Sequence, residues 1–358
     1  MKIILDDTKV KSALYPFTAT RHAADIRIGI LTIREKWAYS SRFQVGTDRA
    51  AYFSDISSDA NAAAAIFDAN IIPTKEWLDA LESPVALPTN VPIAFEQVDS
   101  FKTIHYPWQI FQYNDWALRK DFEMITTGRV SLPISATNRI VGGENIFFEA
   151  GAVVEHAILN ASTGPIYIGK NAVVMEGCMI RGPFALCEGA VLKMGTKVYG
   201  ATTIGPYCVA AGEIKNALLF DHSNKAHDGY LGDSVIGSWC NLGAGTTNSN
   251  LKNTASGVKV WLNEANDYFP AGDKCGLLMG DYSRTAINTS FNTGSVVGVC
   301  CHIFGASPPP KFVDNFTWGN ERYIFEKVLE DINNWKKLKG ELLTAQEKKI
   351  VQQLYTQP

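Results

Sequence analysis

The chain has 358 residues, 46% of them hydrophobic and 19% charged, with a formal net charge of -3. That length exceeds what one hydrophobic core ordinarily serves, so it predicts two domains or one domain lengthened by a repeat. The composition is that of an ordinary globular protein, and a near-neutral charge leaves no general footprint for nucleic acid or a membrane surface, so neither is expected as a partner. An anionic ligand would need local basic groups.

The opening "MKIILDDTK" lacks the long apolar core of a signal peptide, and no stretch approaches the roughly 18 apolar residues of a membrane span. The expected location is the cytoplasm. The seven cysteines have no CxxC spacing and all fall between Cys178 and Cys301. They suggest neither a disulfide framework nor a zinc site, and read as reduced, small apolar fillers.

In chain order, "MKIIL" predicts a strand, "ADIRIGILTIREKWAYS" a helix with apolar positions at helical spacing, and "TKEWLDALE" a short helix capped by Thr74. Residues 1–115 are therefore expected to form a small α/β domain. The aromatic segment from His105 predicts a connecting helix that begins near Trp108 or Asn114 and leads into a linker over 116–139.

From about residue 140 a repeat takes over, and repeats decide a fold before single elements do. Ile168, Val174, Ile180, Leu186, Leu192, Val198 and Ile204 fall six residues apart. Small or turn-compatible residues recur between them, as in "IGKNAV" and "IGPYCV". Each hexapeptide can then be one short strand and one tight corner, and three of them close a triangular coil. Stacked coils bury the aliphatic column inside a prism, because each covers a face its neighbour cannot bury alone. A helix cannot produce this spacing. The beat returns at Met279, Thr285, Phe291, Val297 and Ile303, so the prism is expected over 140–306. Beyond it three prolines in "ASPPPKFVDNFTWGN" break regular structure. The tail over 307–358 predicts two helices, the second opened by Thr344 with Glu347 completing a capping box.

The stretch "HSNKAHDGYLGDSVIGSWCNLGAGTTNSN", from His222 to Asn250, interrupts the beat and carries two histidines, a lysine and a tyrosine. A loop that left the coil there could hold a histidine over a groove between two prisms.

The repeat together with "EIKN" from Glu213, His227, "YLGD" from Tyr230, "NLGAGT" from Asn241 and Asn250 resembles the acetyltransferase half of the bifunctional enzymes that make UDP-N-acetylglucosamine from glucosamine 1-phosphate. The resemblance implies a left-handed parallel β-helix, a homotrimer, acetyl-CoA as co-substrate and a sugar phosphate as acceptor. It implies His227 as general base, Lys215 at the sugar phosphate, Tyr230 beside that phosphate and Asn250 holding the amino sugar. Lys197 is the candidate for a second basic group on an earlier coil. The family often has a tyrosine after the asparagine matched to Asn250, where this chain has Leu251.

The N-terminal stretch "ALYPFTATRHAADIRIGILTIREKW" is similar to a worn nucleotidylyltransferase opening. The glycine-rich loop of that fold, which lets backbone amides approach a triphosphate, is replaced by "LDDTKVKSA". The N-terminal part is thus expected to be a reduced nucleotidyltransferase-like α/β domain, with Arg21, Asp25 and Arg27 as candidates for a remnant nucleotide site and Mg2+ needed only if nucleotidyl transfer is retained.

Acetyl transfer to an amino sugar requires a neutral amine, and imidazole suits that proton transfer near neutral pH. Lys215, or a neighbour such as Lys225, would meet the phosphate by charge-assisted hydrogen bonds. A backbone N–H of Gly243, Ala244 or Gly245 would face the charge developing on the thioester oxygen. Coenzyme A would lie along the later coils near Lys274 and Arg284. His222 and His302 lack such a context and read as structural or exposed. Two other functions are open to the sequence: a sugar-1-phosphate nucleotidylyltransferase using UTP or dTTP, with the prism as trimerisation module, and a non-catalytic scaffold.

Overall fold

The computed structural model describes residues 2–39, 43–47, 64–81 and 99–356. Near the N-terminus, the strand Lys2–Asp6 is the centre of a three-stranded parallel sheet, flanked by Gln44–Thr47 and Ala64–Asp68. Thr74 caps the helix Lys75–Leu81 through its hydroxyl. The connecting segment folds as Gln109–Gln112 followed by Asn114–Thr126, so both expected start points are used.

The long helix expected over "ADIRIGILTIREKWAYS" is not formed as such. The segment contains a 3-10 turn at Ala23–Asp25, a tight turn closed by an Arg27–Thr32 bridge, and a helix confined to Ile33–Trp37. Thr32 and Glu35 form a capping box that starts the helix there,. Ahead of it, Gly29 takes a left-handed φ of 72°, and a Cβ on it would stand 2.4 Å from the Asp121 carboxylate. That carboxylate accepts from the amides of Ile30 and Leu31 and pairs with the buried Lys36 ammonium. A turn held by those bonds outweighs the local helical spacing.

The expected prism is present as a parallel β-helix of three faces. The first face stacks Arg139–Val141, Ile158–Asn160, Met179–Arg181 and Lys197–Tyr199, then the leading halves of Glu213–Leu219 and Tyr230–Ile236. The second face stacks Ile146–Phe148, Ile166–Ile168, Phe184–Leu186 and Thr202–Ile204, then the trailing halves of the same two long strands and Leu277–Met279. The third runs from Val153–Val154 to Asn224–Lys225. It continues through a bridge at Asn241 to Arg284–Thr285 and His302–Ile303. Every member of the hexapeptide column from Ile168 to Ile204 is buried in one core, each contributing about 1.5–3 kcal/mol of hydrophobic stabilisation.

Two features depart from the sequence reading. The coil is not left at 222–230: Asn224–Lys225 and Tyr230–Ile236 remain in the stack. The beat is lost because coils are shortened, with inward residues Ala210, Ile214 and Leu219 only four and five apart, and Leu231 and Ile236 five apart. Single residues with left-handed φ, Asn216 at 49° and Asp233 at 47°, turn the shortened corners, as asparagine and aspartate allow. The true excursion is the stretch between Asn250 and Gly276, which carries the antiparallel hairpin Lys259–Leu262 and Asp267–Pro270. The stack also continues past the three prolines, since Phe312–Val313 pairs with the second face and Thr317–Trp318 with the third.

The chain covers two of the three faces itself. Outward residues of the second face, including Leu218, Phe220, Val235, Leu278 and Val296, share a core with Phe17, Ile28 and Phe111 of the N-terminal part. The helices Phe325–Lys337 and Ala345–Thr356 lie on the third, where Lys339 Nζ donates to Tyr207 O and Asn224 Oδ1. Thr344 and Glu347 form the predicted capping box. Among the described residues no helix is long and apolar enough to cross a membrane, and all seven cysteines are buried and free.

The N-terminal part is fastened to the prism by a buried ion pair. Asp281, in the corner between Leu277–Met279 and Arg284–Thr285, accepts from Arg21 Nη2 at 2.5 Å, from the Thr20 hydroxyl and from the Ser238 amide. Replacing Asp281 by Ala leaves the Arg21 guanidinium buried without its partner, so unfolding in denaturant should show a loss of about 3–5 kcal/mol. An unchanged midpoint would contradict this reading of the junction.

Candidate functional site

The face left open carries most of the residues nominated from sequence. The ladder places Met179, Lys197, Glu213 and Tyr230 in one outward row, Lys197 opposite Glu213 and Glu213 opposite Tyr230. Lys215 stands opposite Gly232 in the neighbouring row. Lys197 and Lys215 are exposed, and Tyr230 and Asn250 are half-buried. A side chain at position 232 would collide with the Tyr230 ring, its Cβ standing 2.1 Å from the phenol oxygen. The tyrosine therefore lies across the glycine, toward the lysine row.

Asn250 reaches the same spot from the start of the excursion. Its Nδ2 donates to Tyr230 Oη at 3.0 Å and to Asp233 Oδ2 at 2.5 Å. The other Asp233 oxygen accepts from Asn216 Nδ2 at 2.7 Å. Burial, reinforced by the Asp233 and Glu213 carboxylates, pushes the Tyr230 phenol up to about 12. Tyr230 is thus a protonated donor at neutral pH.

His227 is exposed at the corner that leads into Tyr230–Ile236. This corner spans six residues from Lys225 to Leu231, two more than Ala210 to Ile214 beneath it. It is secured from inside by Lys225, which is 1% exposed and occupies a column position in the prism, where Ala210 stands one coil earlier. Its ammonium donates to the carbonyl oxygens of His227 at 2.6 Å and Ala211 at 3.4 Å. Burial is the dominant cause that lowers Lys225 to about 8, against a smaller opposing pull from Asp228. Lys225 is therefore turned into the core, and the expectation that it could meet a phosphate is corrected. The sequence signal was its place where an aliphatic residue recurs, hidden by the shortened coil before it.

The "GAG" turn stacks directly on this corner. Gly245 N donates to Asp228 O at 3.1 Å and Gly243 N to Thr285 Oγ1 at 3.0 Å. Ala244 O accepts from Asn288 N, while the Ala244 amide enters none of the hydrogen bonds among the described residues. Of the three candidate donors it is the one not already engaged. Gly245 takes a φ of 72°, and a Cβ there would meet Asn288 Oδ1 at 2.2 Å, which requires glycine.

The other nominations lie elsewhere. Arg284 is 4% exposed, under the tail helix with its guanidinium 5.4 Å from the Trp335 ring. It is covered by the chain itself, so the expectation that it lines an open path for a carrier is corrected. Lys274 is exposed in the excursion. His222 stacks between Tyr207 and Trp239 and faces Glu341 of the tail, and His302 packs on Trp318, as structural residues do. Arg21 is engaged with Asp281, Asp25 with Arg34, and Arg27 with Ile30 O, Asp221 and Glu35. These three form the junction with the prism and its supports rather than an open pocket. Among the described residues no group of three or more His, Cys, Asp or Glu could hold a metal ion.

Residues 2–86 match a family described as sugar nucleotidyl transferase. The chain is 31% identical over 120 residues to the bifunctional protein GlmU of Methanocaldococcus jannaschii, covering 33% of this chain and 29% of that protein. It is 28% identical over 152 residues to a bifunctional sugar-1-phosphate nucleotidylyltransferase/acetyltransferase of Sulfurisphaera tokodaii, covering 37% of each. The chain thus aligns with well under half the length of these relatives. Among solved structures it overlaps a Bacillus cereus protein described as an acetyltransferase, at 10% identity and a TM-score of 0.26, over 62% of this chain and 93% of that one.

The depressed Lys225 gives a pH signature. In the unfolded chain this lysine holds its proton up to its ordinary 10.5, and in the fold only up to about 8. Between those values the unfolded state binds more protons, so stability rises with pH across the window, and the full cost of burying the charge is present below pH 8. Comparing denaturant midpoints at pH 7 and 10.5, the wild type should gain up to ~3 kcal/mol more than Lys225→Met. Equal gains would place the buried amine at its ordinary value.

Proposed function

We propose that the chain is an acetyl-CoA-dependent N-acetyltransferase acting on an amino sugar 1-phosphate of the glucosamine 1-phosphate type. The observation that carries this reading is the open face on which Lys197, Lys215, Tyr230 and Asn250 stand beside the His227 corner. The lysines and the Tyr230 hydroxyl are donors suited to a phosphate, and charge-assisted bonds to it fix the sugar. The Asn250 amide offers its oxygen to the amino group.

In this reading His227 removes the proton from the bound ammonium or from the attacking amine. The amine nitrogen then forms a bond to the thioester carbon. Negative charge gathers on the carbonyl oxygen, where the unengaged Ala244 amide is the available backbone donor. Collapse of that intermediate breaks the carbon–sulfur bond, and the proton taken up by His227 passes to the leaving sulfur, so that coenzyme A departs as the thiol.

An exposed His227 needs a second wall to exclude water, and the chain already covers the other two faces. A homotrimer in which a neighbouring prism closes the open face would supply it. Apolar residues exposed on that face, Val141, Ile158, Met179 and Tyr199, support such a contact. A cytoplasmic location follows from substrates of this kind.

The second reading, a sugar-1-phosphate nucleotidylyltransferase, is favoured by the family match over residues 2–86. Release of pyrophosphate from UTP or dTTP with a sugar 1-phosphate and Mg2+ would support it.

The test of the first reading is thiol release from acetyl-CoA with glucosamine 1-phosphate, on wild type and His227→Ala. Turnover should fall by about 10²- to 10⁴-fold in the variant. Undiminished turnover would remove His227 as the base, and absence of release from the wild type would remove the acetyltransferase. Sedimentation should give about three times the mass of one chain, and a monomer would count against closure by a neighbour.

A further inference from the structure

We infer that Asp233 is a positioning residue that fixes the hydrogen-bond polarity of Tyr230 and Asn250, and so selects a ligand that presents an N–H donor next to an anionic group. The inference rests on the acetyl-acceptor reading of this face and extends it to a residue that contacts no ligand.

An asparagine side chain has two N–H donors on one side and an acceptor oxygen on the other, and hydrogen-bond partners decide which way it points. Asp233 is 6% exposed, and an ionised carboxylate can only accept. Its Oδ2 therefore draws Asn250 Nδ2 toward it, at 2.5 Å. The second hydrogen of that amide goes to Tyr230 Oη, at 3.0 Å.

With both donors engaged, Asn250 has only Oδ1 left to offer, and no hydrogen bond to that oxygen occurs among the described residues. Tyr230, accepting from Asn250, keeps its own O–H to donate. The remaining oxygen of Asp233 takes Asn216 Nδ2, from the residue that follows Lys215 on the coil beneath. One carboxylate thereby ties the lysine-bearing strand, the tyrosine and the asparagine together, while none of its own charge faces the ligand.

The result is a site with donors at Lys197, Lys215 and Tyr230 and an acceptor at Asn250. A phosphate satisfies the first three. An ammonium, which has donors only, satisfies the last. A hydroxyl in its place can donate to that oxygen but can equally accept from an amide N–H, so its binding does not depend on which way Asn250 points. The backbone supports the same assignment: the excursion leaves at Asn250 and returns at Gly276, whose amide donates to Asp233 O, with Cys275 N bonded to Asn250 O. The asparagine is held at a coil corner rather than on a free loop.

Asp233→Asn keeps the shape and replaces one acceptor oxygen by a donor amide. It can serve Asn216 or Asn250 but not both, and Asn250 is free to flip. Calorimetric affinities for glucosamine 1-phosphate and glucose 1-phosphate should be compared in wild type and Asp233→Asn, with thermal unfolding as a check on folding. Wild type should prefer the amino sugar, and the variant should lose that preference by roughly 10- to 100-fold while binding of the glucose compound changes little. An unchanged preference, or an equal loss for both sugars, would overturn the inference.

If wild type binds neither sugar, the acceptor reading itself has failed, and the polarity is then read directly. In protein labelled with ¹⁵N-asparagine, the two Nδ2 hydrogens of Asn250, assigned by their absence in Asn250→Ala, should exchange slowly with solvent in wild type and rapidly in Asp233→Asn. Equal exchange in both would overturn the inference. Asp233→Ala, which leaves no partner for either amide, should behave like Asp233→Asn in both measurements.

Discussion

The constraint on which the structure depends is the pairing of each coil with the next. In a parallel ladder, the strand amides of one coil are satisfied by the coils beside it, so a residue on a strand stands opposite the equivalent residues of its neighbours above and below. Inward positions must be small or aliphatic to close-pack along the axis, as they are from Ile168 to Ile204. Outward positions are free to vary, and rows of chosen chemistry can be written along a face. The row from Met179 through Lys197 and Glu213 to Tyr230 is one such row.

The same constraint makes the corners the place where function enters. A coil that gains or loses residues can do so only at a corner, because the strands must stay in register. The corner before Ile214 is short and the one bearing His227 is full length, which exposes the histidine. The corner after Lys215 is turned by Asn216 and the one after Gly232 by Asp233, and the third in that stack releases the long excursion at Asn250. Burying a lysine inside the prism is costly, since removing a charge from water is unfavourable unless its donors are met. Lys225 meets two carbonyl groups, one of them that of His227, so the cost supports the corner that carries the candidate base.

The N-terminal part and the tail shape the site by what they cover. Arg21 and Asp281 join the first to the prism, and Trp335 with Lys339 joins the second. Together they cover the second and third faces and leave the first, with its lysines, tyrosine and exposed apolar residues, uncovered. Arginines that the sequence offers as remnants of a nucleotide site are instead the fasteners of this arrangement.

By itself the sequence determined the repeat, because hexapeptide spacing is a local property that only a short strand and a corner can satisfy. It also determined two caps, at Thr74 and Thr344, where a hydroxyl meets an amide three residues on. Lys215 and Tyr230 were nominated differently, through the resemblance of "EIKN" and "YLGD" to a known family rather than through local spacing. What only the tertiary structure decided is orientation between coils. Lys225 faces inward, Arg284 lies beneath a helix, the helix expected before Ile33 gives way to a turn held by Asp121, and Asp233 joins Asn216 to Asn250. Each depends on residues 14 to 91 positions away, brought together by stacking or packing, and no local spacing records such contacts.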